Sequence, residues 1–207
     1  MNQTFAKGLY VAGVTTFCTF LGCWAVLAHQ SGAESSRSAQ STRKMSMADE
    51  EFAKKAAQGG MAEVKLGQLA EEKASNEKVK SFAQKMVEDH GKANDKLKEV
   101  ASKENINLPS DLDSKDEATY ESLSKLSGPA FDRAYARDMV KDHQQDIAEF
   151  HREATNGRKE PIKSFAQETL PTLQKHLQEA RQMEQTVSRS GMGKTHHQSP
   201  TTPTQRR

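Results

Sequence analysis

The chain has 207 residues, of which 34% are hydrophobic and 28% are charged, and its formal net charge is +2. This composition suffices for one modest domain with appendages rather than for two compact domains. Acidic and basic residues are interleaved, so the chain has no large field of one sign, and the sequence predicts no nucleic-acid partner. Aromatic residues are few and no run of alternating β-branched residues occurs, which predicts an all-α fold.

The first segment, residues 1–33, predicts export from the cytoplasm. An apolar run without any charge extends from Gly8 to Ala28. As a secretory signal peptide it would be cleaved after a small residue such as Ala28 or Ala33. Its length also suits an uncleaved inner-membrane anchor, through which the protein would associate with the membrane, and Cys23 offers a weaker lipoprotein signal. The expected location is the periplasm or the outer membrane, with inner-membrane anchoring as the alternative.

Two polar segments flank the part of the chain that can form a core. Residues 34–47 are rich in Ser, Arg, Gln and Thr, and this composition predicts a flexible linker. Residues 188–207 are rich in Thr, Pro, Gln and Gly, and they predict a disordered tail. Cys18 and Cys23 are the only cysteines. The intervening domain, residues 48–187, therefore has no disulfide and depends on packing alone.

Apolar residues recur at helical spacing in four long stretches, each of roughly 27 residues or about 40 Å. A long connection between the second and third stretches contains a short predicted helix at 113–126. The sequence Lys-Ser-Phe-Ala-Gln at 80–84 recurs at 163–167, which indicates two helical hairpins. Either an up-and-down bundle or one whose long connection crosses the bundle satisfies this pattern. The four stretches lie at about residues 48–74, 77–104, 127–156 and 160–187.

The inward stripe of the first helix is unusually small. Gly60 and Gly67 both fall on it, although glycine weakens a helix. We therefore expect a neighbouring helix, or a bulky side chain from it, to approach closely at these positions.

Each long helix carries one metal-ligating type of side chain close to its middle: Glu63, His90, His143 and His176. The two central histidines end matching five-residue frames, Met-Val-Glu-Asp-His and Met-Val-Lys-Asp-His. Side chains at mid-length meet at one level whichever way the helices run. Three imidazoles and one carboxylate suit a divalent transition metal such as Zn, Fe, Mn or Cu.

A second interpretation needs no metal. Each His would then be hydrogen-bonded to a carboxylate or a hydroxyl, Glu63 would pair with one of them, and the polar layer would only fix the helix register. Asp89 and Asp142 each precede a His by one residue and so point about 100° away around the helix, towards the surface or towards hydrogen bonds with the histidines. Asp146, one turn after His143, could bind the metal itself or form a hydrogen bond with one of its ligands.

Several motifs in order resemble the bacterial domain-of-unknown-function family 4142. They are Gly-Gly-Met-Ala-Glu-Val-Lys-Leu-Gly-Gln-Leu-Ala at 59–70, the frame ending in His90, Phe131-Asp132, His143, and Leu-Pro-Thr-Leu-Gln-Lys-His at 170–176. The resemblance covers about residues 48–183. It implies a predicted outer membrane protein with a ferritin-like four-helix bundle behind a signal or lipoprotein leader, but no established chemistry.

The sequence departs from di-iron carboxylate bundles, which use Glu-x-x-His on two helices. Val87, Val140 and Leu173 occupy the positions three before the histidines, which disfavours a di-iron oxidase. No Gly-rich phosphate loop, Gly-x-Ser-x-Gly or HExxH motif occurs, and no catalytic residue is predicted. The leading hypothesis is an exported ferritin-like bundle that binds a metal ion for storage, sensing or stress protection. The alternative is a non-catalytic structural or partner-binding protein of the cell envelope.

Overall fold

The computed structural model describes residues 30–192, with side chains from 47 to 189, and over this range the chain forms five helices and no strand. The prediction of an all-α fold is therefore confirmed for the described residues. The helices are α1 Gln30–Lys73, α2 Glu77–Lys103, α3 Ser114–Ser124, α4 Gly128–Asn156 and α5 Glu160–Met192.

Two helices extend beyond the stretches expected from the apolar pattern. α1 begins at Gln30 and so includes residues 34–47, which lack Gly and Pro and can continue a helix without an apolar stripe. α5 ends at Met192, past the predicted start of the tail. The chain divides between Ser41 and Thr42 into two compact units, of which the first, where described, is residues 30–41 of α1. The division into leader, linker, domain and tail stays a prediction.

No helix within residues 30–192 is both long and apolar enough to cross a membrane. The apolar run at 8–28, on which the prediction of a signal peptide or an anchor rests, lies outside the described residues.

The helix starts follow from local sequence. Asn76 accepts a hydrogen bond from the backbone N–H of Lys78 at 2.9 Å and so caps α2. Asp113 caps α3 in the same way through the N–H of Asp116, at 2.8 Å. α4 starts at Gly128, whose φ of 57° favours glycine, and the following Pro suits a first helical turn.

Contacts between side chains define the direction of each long helix in the second unit. α1 runs antiparallel to α2 and to α4, α2 runs antiparallel to α5, and α2 and α4 run parallel, as the pairs Phe82 with Tyr135 and His90 with His143 show. Because α2 and α4 point the same way, the connection that contains α3 returns along the length of the helices. The antiparallel direction of α1 and α2 follows from the contacts of Gly60 with Asn94 and of Gly67 with Val87. That of α2 and α5 follows from Lys85 with Glu179 and Lys96 with Glu168. That of α1 and α4 follows from Ser75 with Asp132 and Glu63 with His143.

Reciprocal hydrogen bonds tie the two hairpins, α1–α2 and α4–α5, together at their ends. The buried carboxylate of Asp132 on α4 accepts from the backbone N–H and the hydroxyl of Ser75, at 3.0 and 2.6 Å, in the α1–α2 turn. At the opposite end the buried carboxylate of Asp49 on α1 accepts from the N–H groups of Arg158 and Lys159 before α5. Each hairpin therefore satisfies the free donors at the turn of the other.

Two apolar cores lie along the helices, one on each side of a buried polar layer. The core near the α1–α2 turn contains Leu66, Phe82, Met86, Phe131 and Tyr135. The core at the other end contains Phe52, Leu97, Phe150, Phe165 and Leu173. Burial of these side chains supplies most of the folding free energy, and the polar layer between them must be satisfied in some other way.

We expect Gly67→Leu to destabilise the domain by about 1 to 3 kcal/mol, because a Cβ there would lie 2.8 Å from the Val87 Cγ2 and 3.0 Å from the carbonyl oxygen of Ala83. Gly60 is similarly confined, by the Asn94 side chain. Gly59 is the matched control, since a Cβ at this neighbouring position would meet nothing within 4 Å.

Chemical denaturation followed by circular dichroism measures both effects. Gly59→Ala should raise the free energy of unfolding by about 0.4 to 1 kcal/mol, as expected for an unobstructed helical glycine. A Gly67→Leu variant as stable as the wild type would show that α2 does not approach α1 closely.

Candidate metal centre

The structure brings the four predicted side chains together in the polar layer. Glu63 and His143 are 0% exposed, His176 is 1% exposed and His90 is 6% exposed. The imidazole centroids form a nearly equilateral triangle, with sides of 5.4, 5.5 and 5.7 Å. Each ring comes from a different helix, because α2, α4 and α5 each place one mid-length His at this level.

Hydrogen bonds fix the orientation of two of the rings. The Nδ1–H of His143 donates to the carbonyl oxygen of Met139, one turn earlier in α4, at 3.0 Å. The Nε2–H of His176 donates to the carboxylate of Asp89 at 3.0 Å. Since both partners are acceptors only, the other nitrogen of each neutral ring carries a lone pair. Asp89 therefore forms a hydrogen bond with a histidine. This is one of the two roles predicted for it from the sequence, the other being a position at the surface.

Three ring nitrogens are buried without a hydrogen-bond partner among the described residues. They are the Nε2 of His90, the Nε2 of His143 and the Nδ1 of His176. One nitrogen of each ring also lies within 4.8 Å of one nitrogen of each other ring. A buried acceptor without a hydrogen bond costs about 1 to 3 kcal/mol, so three of them together are an unusual feature of a folded core.

Glu63 contacts two of the rings on their Nδ1 side, away from the Nε2 atoms that lack a partner. Its Oε2 is 2.6 Å from the Nδ1 of His90, and its Oε1 is 3.2 Å from the Nδ1 of His143. Neither contact has hydrogen-bond geometry, and within the described part of the chain both carboxylate oxygens lack a hydrogen-bond partner. The carboxylate is therefore close to the imidazoles without being satisfied by them.

Burial dominates the electrostatics of this layer. It raises the pKa of Glu63 to about 8, although His143 works against the increase. It lowers the pKa of His90 to about 4, and it lowers the pKa values of His143 and His176 against the opposing influence of Glu63 and Asp89 respectively. At pH 7 the layer consists of neutral imidazoles, the form that binds metals, and of a largely protonated Glu63.

A cluster of three carboxylates beside the histidines was not predicted from the sequence, which offered only Asp146 as a further possible ligand. One oxygen of Glu63 lies within 4.8 Å of one oxygen of Asp142 and of Asp146, and the same holds between the two aspartates. Burial, followed by the neighbouring carboxylates, raises the pKa of Asp146 well above its usual value. The signal in the sequence was the spacing of Asp138, Asp142 and Asp146 every four residues, which places them on one face of α4. The ligand atoms of the four predicted residues thus fall into two adjoining groups, three imidazoles and a carboxylate cluster.

The fold and this layer define a class, an all-helical protein whose described core encloses a cluster of three histidines and a glutamate. A family model described as "Domain of unknown function (DUF4142)" matches residues 34–183. The chain belongs to this family, which confirms the resemblance noted in its motifs.

Two solved structures are similar to this chain. A DUF305 fragment from Deinococcus radiodurans has 17% identity and a TM-score of 0.58, and the alignment covers 69% of this chain and 96% of that one. A protein from Streptomyces coelicolor, named "putative secreted protein DUF305", has 15% identity and the same TM-score, with 73% and 98% covered. At these identities the likeness concerns the fold alone. A comparison with curated proteins finds no match.

Proposed function

We propose that this protein is an exported, ferritin-like four-helix bundle that binds a divalent transition metal ion through His90, His143 and His176, with Glu63 completing the site. The helix directions support the ferritin-like assignment. Two antiparallel hairpins, α1–α2 and α4–α5, are joined by a long connection that returns along the bundle, as one crossover connection requires.

The observation that carries the metal assignment is the set of three unpartnered ring nitrogens on three different helices. A polar layer that served only to fix helix register would be expected to pair its buried groups with each other. Here the available partners, Asp89 and the Met139 carbonyl, engage the far side of two rings and leave the near side free. This is the usual arrangement of metal-binding histidines, whose second nitrogen donates to a carboxylate or a backbone carbonyl.

Glu63 supports the same assignment through charge. Three neutral imidazoles provide no negative charge to compensate a divalent ion, and Glu63 is the carboxylate in contact with two of them. Imidazole and carboxylate ligands suit Zn, Fe, Mn and Cu, and the donor set does not distinguish among these ions. A buried ion at this position would fit storage, sensing or stress protection in the cell envelope.

Two observations support export. The apolar run at 8–28 has the composition of a signal peptide or an anchor. A solved structure with the same fold comes from a protein named as a secreted one. Cleavage at Ala28 or Ala33, retention as an inner-membrane anchor and acylation of Cys23 give three different intact masses, which mass spectrometry of envelope fractions can separate.

Elemental analysis tests the metal proposal. In the full chain, the adjacent tail residues His196 and His197 are first replaced by Ala, so that they contribute no metal binding. The protein is then incubated with Zn²⁺, desalted and analysed. We expect about one ion per chain, because the three imidazoles form one group of ligands and Glu63 supplies a negative charge beside it. The triple variant His90→Ala, His143→Ala, His176→Ala should retain less than about a tenth of that metal.

His151→Ala provides the matched control. His151 lies on α4 two turns after His143, but it is exposed, as its position after Phe150 predicts. Its replacement should leave the metal content unchanged. Substoichiometric metal that the triple variant retains in full would instead favour the structural or partner-binding alternative.

A further inference from the structure

The carboxylate cluster of Glu63, Asp142 and Asp146 lies outside the triangle of histidines. One oxygen from each of the three lies within 4.8 Å of the others. Glu63 is fully buried and the two aspartates are half-buried. Oxygen atoms at these separations fall within reach of a single cation with ligand distances of about 2.1 to 2.4 Å.

Charge compensation at the cluster is incomplete. Asp142 has a basic neighbour, since the Lys115 Nζ lies 3.7 Å from its Oδ1, but this lysine side chain is 59% exposed. Among the described residues, no Lys or Arg forms an ion pair with Glu63 or Asp146. Both oxygens of Glu63 are also buried without a hydrogen-bond partner. The fully buried member of the cluster is therefore the one that the protein leaves unsatisfied.

A small space adjoins the cluster between the four long helices. This cavity of about 20 Å³ is lined by Glu63, Asp146 and His90, together with small residues of α1 and α2 and larger apolar side chains of α4 and α5. This volume holds about one water molecule or one small ion. The cavity therefore leaves room for one ion next to the unsatisfied carboxylate.

We propose that Glu63, Asp142 and Asp146 form a second cation site, which takes a divalent ion that prefers oxygen ligands, such as Mn²⁺. Three carboxylates with solvent completing the shell favour such ions over the softer ones that imidazole attracts. The proposal rests on the proposed function only in that Glu63 borders both groups, so that a second ion would lie beside the histidine centre. Lys115 gives up its contact with Asp142 when the cation enters.

Titration of Mn²⁺ into the Zn²⁺-loaded full chain tests this site, with the two tail histidines replaced as above. The paramagnetic resonance signal of free Mn²⁺ falls as the ion binds, and we expect one bound ion per chain. Asp146→Asn keeps the shape of the side chain and should weaken Mn²⁺ binding by about tenfold or more, with the Zn²⁺ content unchanged. Asp138→Asn, one turn before Asp142 on the same face of α4, makes the same substitution outside the cluster and should change the affinity by less than about twofold.

Each result separates this proposal from the histidine centre. Absence of Mn²⁺ binding to the Zn²⁺-loaded chain overturns the second site, and so does an Asp138→Asn variant as weak as Asp146→Asn, which would show only general attraction by negative charge. If the chain takes up no Zn²⁺ but still binds Mn²⁺ in an Asp146-dependent way, the histidine centre is wrong and the carboxylate site stands. Circular dichroism of each variant verifies that the bundle is folded.

Discussion

Zn²⁺ is expected to raise the melting temperature of the chain, and His143→Gln is expected to abolish that rise. An ion that binds the folded state at about 100 times its dissociation constant adds about 2.7 kcal/mol, which corresponds to roughly 5 to 10 °C for a domain of this size. His143 is the critical position because it is fully buried and its Nδ1–H is held by the Met139 carbonyl, which leaves Nε2 free. Differential scanning calorimetry with and without the metal measures the shift.

Glutamine provides a discriminating substitution because its amide keeps the capacity to form hydrogen bonds in the core but is a poor metal ligand. If the histidine serves a metal, the metal-free His143→Gln domain should melt close to the metal-free wild type, while His143→Ala should melt lower because it leaves a cavity. If the polar layer is only structural, we expect Gln to destabilise the metal-free domain as much as Ala. The metal centre would be wrong if no first-row divalent ion shifted the wild-type melting temperature at neutral pH and if Gln and Ala destabilised the metal-free domain equally.

The second large effect concerns pH. Burial raises the pKa of Glu63 to about 8, so at pH 7 the metal-free site holds a proton that must leave when this carboxylate compensates a cation. Protons therefore compete with the metal below pH 8. The apparent affinity should rise by up to about tenfold per pH unit from pH 6 to pH 8 and level off above that range. The histidines contribute little to this slope, because burial lowers their pKa values, that of His90 to about 4.

Calorimetric titration in two buffers with different enthalpies of ionisation counts the released protons. The wild type should release close to one proton per ion at pH 7. Glu63→Gln should release almost none and should bind more weakly at pH 8. A Glu63→Gln variant with an unchanged affinity and an unchanged proton count would place the charge compensation elsewhere, and Asp142 or Asp146 would be the next carboxylates to replace.

Much of the fold could be read from apolar periodicity and capping. The stripe with Val79, Phe82 and Met86 predicted α2, and its start after Asn76 follows from a side-chain oxygen that satisfies a free N–H. The extension of α1 to Gln30 could not be predicted, because residues 34–47 carry no apolar stripe and composition alone does not separate a polar helix from a flexible segment.

The site was predicted only in part, because some of its contacts depend on which helices pack together. The equal height of Glu63 and the three histidines is a property of position along each helix, so the sequence contained it. The role of Asp142 is different. Its angle to His143 around α4 is fixed by the sequence, but whether that direction meets solvent or a carboxylate depends on which helix packs there. The structure places Glu63 of α1 within reach, so that Asp142, expected at the surface or in a hydrogen bond with a histidine, is a member of a carboxylate cluster.

The sequence by itself determined that the chain forms long amphipathic helices with one polar side chain at the middle of each, because periodicity and caps act within a few residues. Only the tertiary structure decided the helix directions, the return of the α2–α4 connection along the bundle, and which nitrogen of each imidazole remains free. These depend on contacts between residues far apart in the chain, such as His176 with Asp89, whose energies are set by how whole helix faces fit together.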